Sequence, residues 1–174
     1  ATTTEGNAAL VGGGFMQPKT IAEQLFFTTV RIDTITAERA QGSRTGFFFS
    51  HKVGEPEFPF VVTNKHVVRG MREGRFSFLK KKDGQPTLGD GLTVNLGPQV
   101  WPNMWFDHPD PNVDIAICPL APLEARIKKD HNVDLFCRYV SSDMIPTEEQ
   151  TRELDAIEPV TFIGYPNGVW DNKN

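Results

Sequence analysis

Apolar and polar positions alternate along much of this chain in short runs that end at Gly, Pro or charged residues. Residues 74–84 show the pattern most clearly. Phe76 and Phe78 would lie on one face of a strand there, and Ser77 on the other. Further runs rich in β-branched and aromatic residues lie at 25–35, 44–50, 58–64, 91–97 and 113–120. This spacing predicts an all-β fold, built as a small antiparallel barrel or sandwich.

The same patterning divides the chain into four segments. Residues 1–20 are rich in Thr, Gly and Ala and predict a loose N-terminal arm, whereas the strand-like runs lie in residues 21–122. Residues 123–156 are charged and contain few strand formers, which predicts a connector. A new apolar run begins in residues 157–174 and ends in a tight turn. We therefore expect the first strand of a second β unit there, without its partner strands.

Two short helices are predicted outside the strands. One is expected around residues 18–25. The other is expected within the connector, near residues 146–154, where Thr147 can act as the N-cap and Gln150 stands three residues later. That spacing is the signature of a capping box.

Composition indicates a folded globular protein, because the 174 residues are 39% hydrophobic and 23% charged. The formal net charge of −4 gives no general attraction to nucleic acids or anionic membranes, so we expect neither as a partner. The basic cluster at residues 80–82 precedes Asp83 and Gly84 and predicts a solvated hairpin tip. No apolar run is long enough for a membrane span, and no signal-peptide pattern opens the sequence.

The two cysteines, Cys118 and Cys137, do not form a disulfide framework, and both lie in apolar, strand-like surroundings. Two buried thiols in a reducing compartment are expected, which favours the cytoplasm. A single bridge between them stays an open alternative.

Chemistry is indicated at His66, which interrupts the apolar run at residues 59–68 with a titratable ring. Asp114 is a plausible partner, because four apolar residues follow it and its carboxylate would be partly desolvated. A histidine that faces a carboxylate is held in one tautomer, which leaves the other ring nitrogen basic. This is the arrangement that a general base requires, although a purely structural histidine is the alternative.

Other sites are less well supported. Asp110, Asn112 and Asp114 alternate as in a calcium loop, but Ile115 stands where that loop needs Gly and Ala121 where it needs Glu. The remaining histidines show no ligand spacing and are expected at the surface, and no phosphate-binding motif is present. We expect neither a metal nor a cofactor. The aromatic run at residues 47–49 is expected in the core.

The motifs around His66 and Asp114 resemble those of bacterial-type trypsin-like peptidases, which have the chymotrypsin fold. In that family the catalytic histidine lies in a Thr-x-x-His-Val pattern, as in residues 63–67, and the catalytic aspartate opens an Asp-Ile-Ala strand, as in residues 114–116. Both motifs occur in the family's chain order, 114 − 66 = 48 residues apart. Residues 162–168 also resemble the strand that opens the family's second barrel.

The resemblance implies a double antiparallel β-barrel, of which this chain would supply the first barrel and the start of the second. It implies that His66 is the general base and Asp114 its orienting carboxylate, with the backbone N–H groups near Lys65 and His66 also binding that carboxylate.

The family's nucleophile is the point of departure. That serine lies in a Gly-x-Ser-Gly-Gly or Gly-x-Ser-Gly-Ser turn, and none of the serines here does. They are Ser43, Ser50, Ser77, Ser141 and Ser142. The expected function is therefore a serine endopeptidase whose serine lies outside these 174 residues, with a peptide or protein substrate and the remaining C-terminal half of the same protein as partners. The alternative is an inactive barrel that binds a peptide or protein.

Overall fold

A computed structural model describes residues 20–165, apart from the side chains of residues 21 and 22. The described part forms one mostly antiparallel sheet, which confirms the expected all-β class. Its strands are β1 (Thr29–Ile35), β2 (Gln41–Lys52), β3 (Glu57–Thr63), β4 (Glu73–Lys82), β5 (Gln85–Leu96), β6 (Phe106–Asp107), β7 (Ala116–Pro119), β8 (Asp134–Phe136) and β9 (Val140–Ser141). The helices are α1 (Ile21–Phe26), α2 (Lys65–Val68), α3 (Ala121–His131) and α4 (Glu148–Arg152), with 3₁₀ turns at Trp101–Asn103 and Ser142–Met144.

The strand order is β5-β4-β1-β2-β3-β7-β6, while β8 pairs with β4 and β9 with β2. All six predicted runs form strands, namely β1 to β5 and β7. The predicted hairpin between β4 and β5 is also confirmed, because Asp83 and Gly84 connect them with φ values of 50° and 78°. Two successive positive φ values are what a two-residue hairpin turn requires.

The inward faces of the strands meet in one core. On β4, Phe76 and Phe78 are buried as the alternation predicted, with exposed fractions of 0% and 3%. Trp101 is completely buried and packs against Phe76, with the two ring planes tilted by 49°. Residues from β1, β2, β3, β5, β7 and α3 complete the same cluster, so the sheet curls around a single apolar centre.

Part of the predicted connector packs against this core. The sequence did not predict α3, whose Leu123 and Ile127 are buried, nor the pairing of β8 with β4 at Leu79 and Phe136. Only two positions of α3 are both apolar and buried, one turn apart, so the apolar stripe is too narrow to stand out among its charges. The capping box of α4 is confirmed by reciprocal bonds between Thr147 and Gln150.

The opening strand of a second β unit is expected without its partner strands. Residues 158–165 pair with no described strand, and Val160 and Phe162 are 71% and 92% exposed, so this expectation stays a prediction. One other expectation is corrected. In the aromatic run, Phe48 is buried but Phe47 is 39% exposed, since successive side chains of a strand face opposite sides.

At the start of the chain, the predicted helix forms as α1, with Thr20 and Glu23 in a capping box. The rest of the predicted arm, residues 1–19, and residues 166–174 lie outside the described part.

Candidate active site

His66 stands on the short helix α2, which follows β3 after the extended residue Asn64. Its neighbours Val67 and Val68 are 5% and 4% exposed and anchor α2 in the core. The ring of His66 projects outward instead, with 66% of its side chain exposed. The apolar run is therefore interrupted because the chain turns at Asn64 and presents one polar ring on an apolar support.

Asp114 lies at the end of the loop that joins β6 to β7. A turn from Asp110 to Val113 precedes it, closed by a hydrogen bond of 3.2 Å from the Val113 N–H to the Asp110 carbonyl. The antiparallel pairing of β7 with β3 places this loop beside α2, since Ala116 lies opposite Thr63. Two segments about fifty residues apart in sequence thus meet at one corner of the sheet.

The structure brings His66 and Asp114 into direct contact. The Nδ1 atom of His66 lies 2.5 Å from Oδ2 of Asp114, and the backbone N–H of His66 donates to Oδ1 over 3.1 Å. The carboxylate therefore binds both the ring and the backbone of the same residue. Because a carboxylate accepts and does not donate when ionised, we assign the ring proton to Nδ1, which leaves Nε2 as an acceptor.

Hydrogen bonding keeps the Asp114 carboxylate ionised. The bond to the His66 ring is the main reason that the pKa of Asp114 is lowered from its ordinary value of 3.8, and the backbone N–H groups of His66 and Lys65 contribute in the same direction. The expected backbone contacts are thereby confirmed. Burial acts in the opposite direction and would raise this pKa, so the expected partial desolvation is present but is outweighed by the hydrogen bonds; 47% of the Asp114 side chain is exposed.

The sequence did not identify the residues that hold the Asp114 loop. Asn64 donates its side-chain N–H to the backbone carbonyl of Asp114 over 2.9 Å. Arg69 forms an ion pair with Asp107 at the other end of the loop. Lys65 donates from Nζ to the carbonyl of Asp110 over 2.8 Å. The only available signal was the presence of polar residues among apolar ones, which does not reveal their partners.

Among the described residues, Asp114 is the one side chain that hydrogen-bonds the His66 ring. Neither cysteine offers a nucleophile there. Both thiols are free, and burial raises the pKa of Cys118 to about 12. Burial, together with the charge of Glu124, also raises the pKa of Cys137 above its ordinary value.

Three further sequence expectations concern metal sites, membrane helices and the other histidines, and each can be compared with residues 20–165. No group of three or more His, Cys, Asp or Glu side chains is placed to hold a metal ion there. No helix in this range has the length and apolar character needed to cross a membrane. His51, His108 and His131 are exposed, as expected.

A second charged cluster lies around Asp33 on the outer face of the sheet. Asp33 on β1 is 7% exposed and accepts hydrogen bonds of 2.9 Å from Arg31 Nε and from Arg75 Nε on the neighbouring strand β4. Burial raises the pKa of Asp33, but the two arginines outweigh it, so the pKa is lowered overall. The alternation of β1 gave no sign that this outward carboxylate would be buried.

No family model, curated protein or solved structure matches this chain. Its function must therefore be inferred from the geometry of His66 and Asp114 and from the motifs that contain them.

Proposed function

We propose that this chain is the histidine- and aspartate-bearing part of a trypsin-like serine endopeptidase with a chymotrypsin-like double barrel. The observation that carries the proposal is the twofold contact of Asp114, through Oδ2 to the ring Nδ1 and through Oδ1 to the backbone N–H of His66. Such a contact holds the imidazole in one tautomer and one orientation. It leaves Nε2 on an exposed edge, available to a hydroxyl.

In the proposed reaction, a serine from outside these 174 residues attacks the peptide carbonyl carbon, and its hydroxyl proton moves to His66 Nε2. The Asp114 carboxylate stabilises the imidazolium that forms. The C–N bond then breaks and the same proton passes to the leaving amine, which leaves an acyl-enzyme. Water, deprotonated by His66, hydrolyses that ester and returns the serine. The substrate is a peptide or protein.

Exposure around the pair supports a covered site in the complete enzyme. Two-thirds of the His66 side chain and almost half of the Asp114 side chain face solvent. Apolar Val160 and Phe162, which follow the predicted connector, are exposed as well. The double barrel supplies a second barrel to cover these surfaces, and the serine would lie on it.

Hydrolysis of quenched fluorescent peptides by the full natural protein tests the proposal. The His66→Ala variant should remain folded and lose several orders of magnitude in turnover, because a triad member acts mainly in the transition state. His51→Ala is the matched control, since His51 is an exposed histidine on β2. Near-normal hydrolysis by folded His66→Ala would refute the assignment.

A second candidate function is a non-catalytic module that binds a peptide or protein. It is favoured by the finding that no described hydroxyl or thiol hydrogen-bonds the His66 ring. In that case the full protein binds peptides without cleaving them, and a His66→Ala change alters affinity rather than turnover.

A further inference from the structure

Lys65 has a buried side chain, which is rare for lysine. Only 6% of this residue is exposed. An ammonium group removed from water needs acceptors or a counter-charge. Lys65 forms no ion pair with any described residue. Its Nζ instead donates to the backbone carbonyl of Asp110 over 2.8 Å. The unfavourable burial of the Lys65 charge is therefore offset by one specific hydrogen bond, to the Asp110 carbonyl.

The carbonyl that Lys65 contacts belongs to a turn that is already fixed by its own bonds. It accepts the 3.2 Å bond from the Val113 N–H that closes the turn. The Asp110 side chain accepts from the Asn112 N–H over 2.9 Å, and Pro111 restricts the second position. Because the turn is internally constrained, a contact to one of its atoms positions the whole unit.

Two parallel links thus join the same two segments. Lys65 contacts Asp110, and the next residue, His66, contacts Asp114, four residues after Asp110. The His66 link is exposed, whereas the Lys65 link is partly buried, since Lys65 is 6% exposed and Asp110 is exposed. A charge-assisted bond that is partly shielded from water is stronger than the same bond at the surface. The Lys65 link is therefore the less solvated of the two anchors.

We propose that Lys65 is a positioning residue that holds the Asp110 turn against α2 and so sets where the Asp114 carboxylate meets the His66 ring. The other contacts to the loop support it less, because Asn64 and Arg69 are both exposed. A catalytic effect of Lys65 rests on the proposed peptidase function, whereas its effect on the position of Asp114 is independent of that function.

The test replaces Lys65 with Met in the full natural protein. Met has a similar length and no donor, so the site stays filled while the link to Asp110 is lost. Nitrogen-15 NMR of the His66 ring reports the tautomer, and hydrogen exchange reports the His66 amide that donates to Asp114. Lys82→Met, at an exposed lysine near the hairpin tip, is the matched control.

In Lys65→Met the ring should shift from the Nδ1–H tautomer towards the mixture of a free imidazole. The His66 amide should exchange faster by about tenfold or more relative to the core amide of Phe76, the effect of losing one hydrogen bond to a charged group. Lys82→Met should change neither. An unchanged tautomer and unchanged relative exchange in folded Lys65→Met would overturn the proposal.

If Lys65→Met does not fold, a second variant and a measurement on the unchanged protein still test the proposal. Lys65→Gln retains an N–H donor and should give intermediate shifts in both signals. In the unchanged protein, the Lys65 ammonium should exchange slowly enough to be seen by NMR, and rapid exchange would also overturn the proposal. If the tautomer shifts in a protein that hydrolyses no peptide, the positioning role stands and the peptidase proposal fails.

Discussion

Replacing Gly74 on β4 is predicted to destabilise the fold, because this residue lies directly against the indole ring of Trp101. A Cβ atom at this position would lie 2.5 Å from three ring carbons of Trp101, closer than the 3.0 Å that side chains tolerate. The ring has little room to move. It is completely buried, and its centroid lies 5.5 Å from that of Phe76 and 5.3 Å from that of Trp105.

The expected effect of Gly74→Ala is a loss of about 1–3 kcal/mol in the free energy of unfolding, the usual cost of overpacking a core. The gain from replacing a strand glycine, roughly 0.5–1 kcal/mol, offsets only part of the strain. For a domain of about 150 residues each kcal/mol lowers Tm by about 2–4 °C, so a decrease of roughly 2–12 °C is expected.

Urea and thermal unfolding followed by circular dichroism measure this effect. Gly97→Ala is the matched control, because a Cβ there meets nothing within 4 Å. In a Trp101→Phe background, where the outer indole atoms are gone, the Gly74→Ala change should cost less than in the unchanged protein. Equal stabilities of the two alanine variants, within about 0.5 kcal/mol, would refute the packing assigned to Trp101.

Four further predictions concern the charged and thiol groups. His66→Ala removes the main cause of the lowered Asp114 pKa, so carbon-13 NMR should show that pKa rising towards 3.8. Because the pKa of Asp33 is lowered in the folded state, its stabilising contribution is present above the unfolded-state pKa and is lost as pH falls through the folded-state pKa. Urea unfolding from pH 7 downwards should show this loss of stability, and the Asp33→Asn variant should not show this pH dependence. Asp114→Asn should keep the fold but lower peptide hydrolysis by on the order of 10⁴, partly restored at high pH, and unfolding without a kinetic effect would instead make Asp114 structural. With a thiol pKa of about 12, native Cys118 should react with iodoacetamide at pH 8 far more slowly than after unfolding, and equal rates would contradict its burial.

The strands were predictable because their signal is local. A period of two in side-chain character predicted both faces of β4, and the Asp83-Gly84 pair predicted its hairpin. The cap of α4 was equally local, since Thr147 and Gln150 are three residues apart. The length and register of each strand pair were not predictable, because they depend on contacts between distant segments.

The pairing of His66 with Asp114 came from two motifs in a known order rather than from periodicity. Their surroundings could not be predicted in the same way. The burial of Lys65 depends on how the turn at Asp110 folds over α2, and no spacing in the sequence encodes that contact. The burial of Asp33 depends on Arg31 on its own strand and on Arg75 on β4, which is 42 residues away in sequence. Such contacts are set by tertiary packing.

Covalent labelling of the full natural protein with a fluorophosphonate probe tests directly whether His66 and Asp114 serve a nucleophilic serine, because only an assembled and activated serine reacts. Mass spectrometry of the digested product identifies the labelled residue. One labelled serine, flanked by glycine, is expected. Labelling should be lost in His66→Ala and retained in His51→Ala. If the folded full protein is not labelled, or if folded His66→Ala is labelled as strongly as the unchanged protein, the serine peptidase assignment is contradicted.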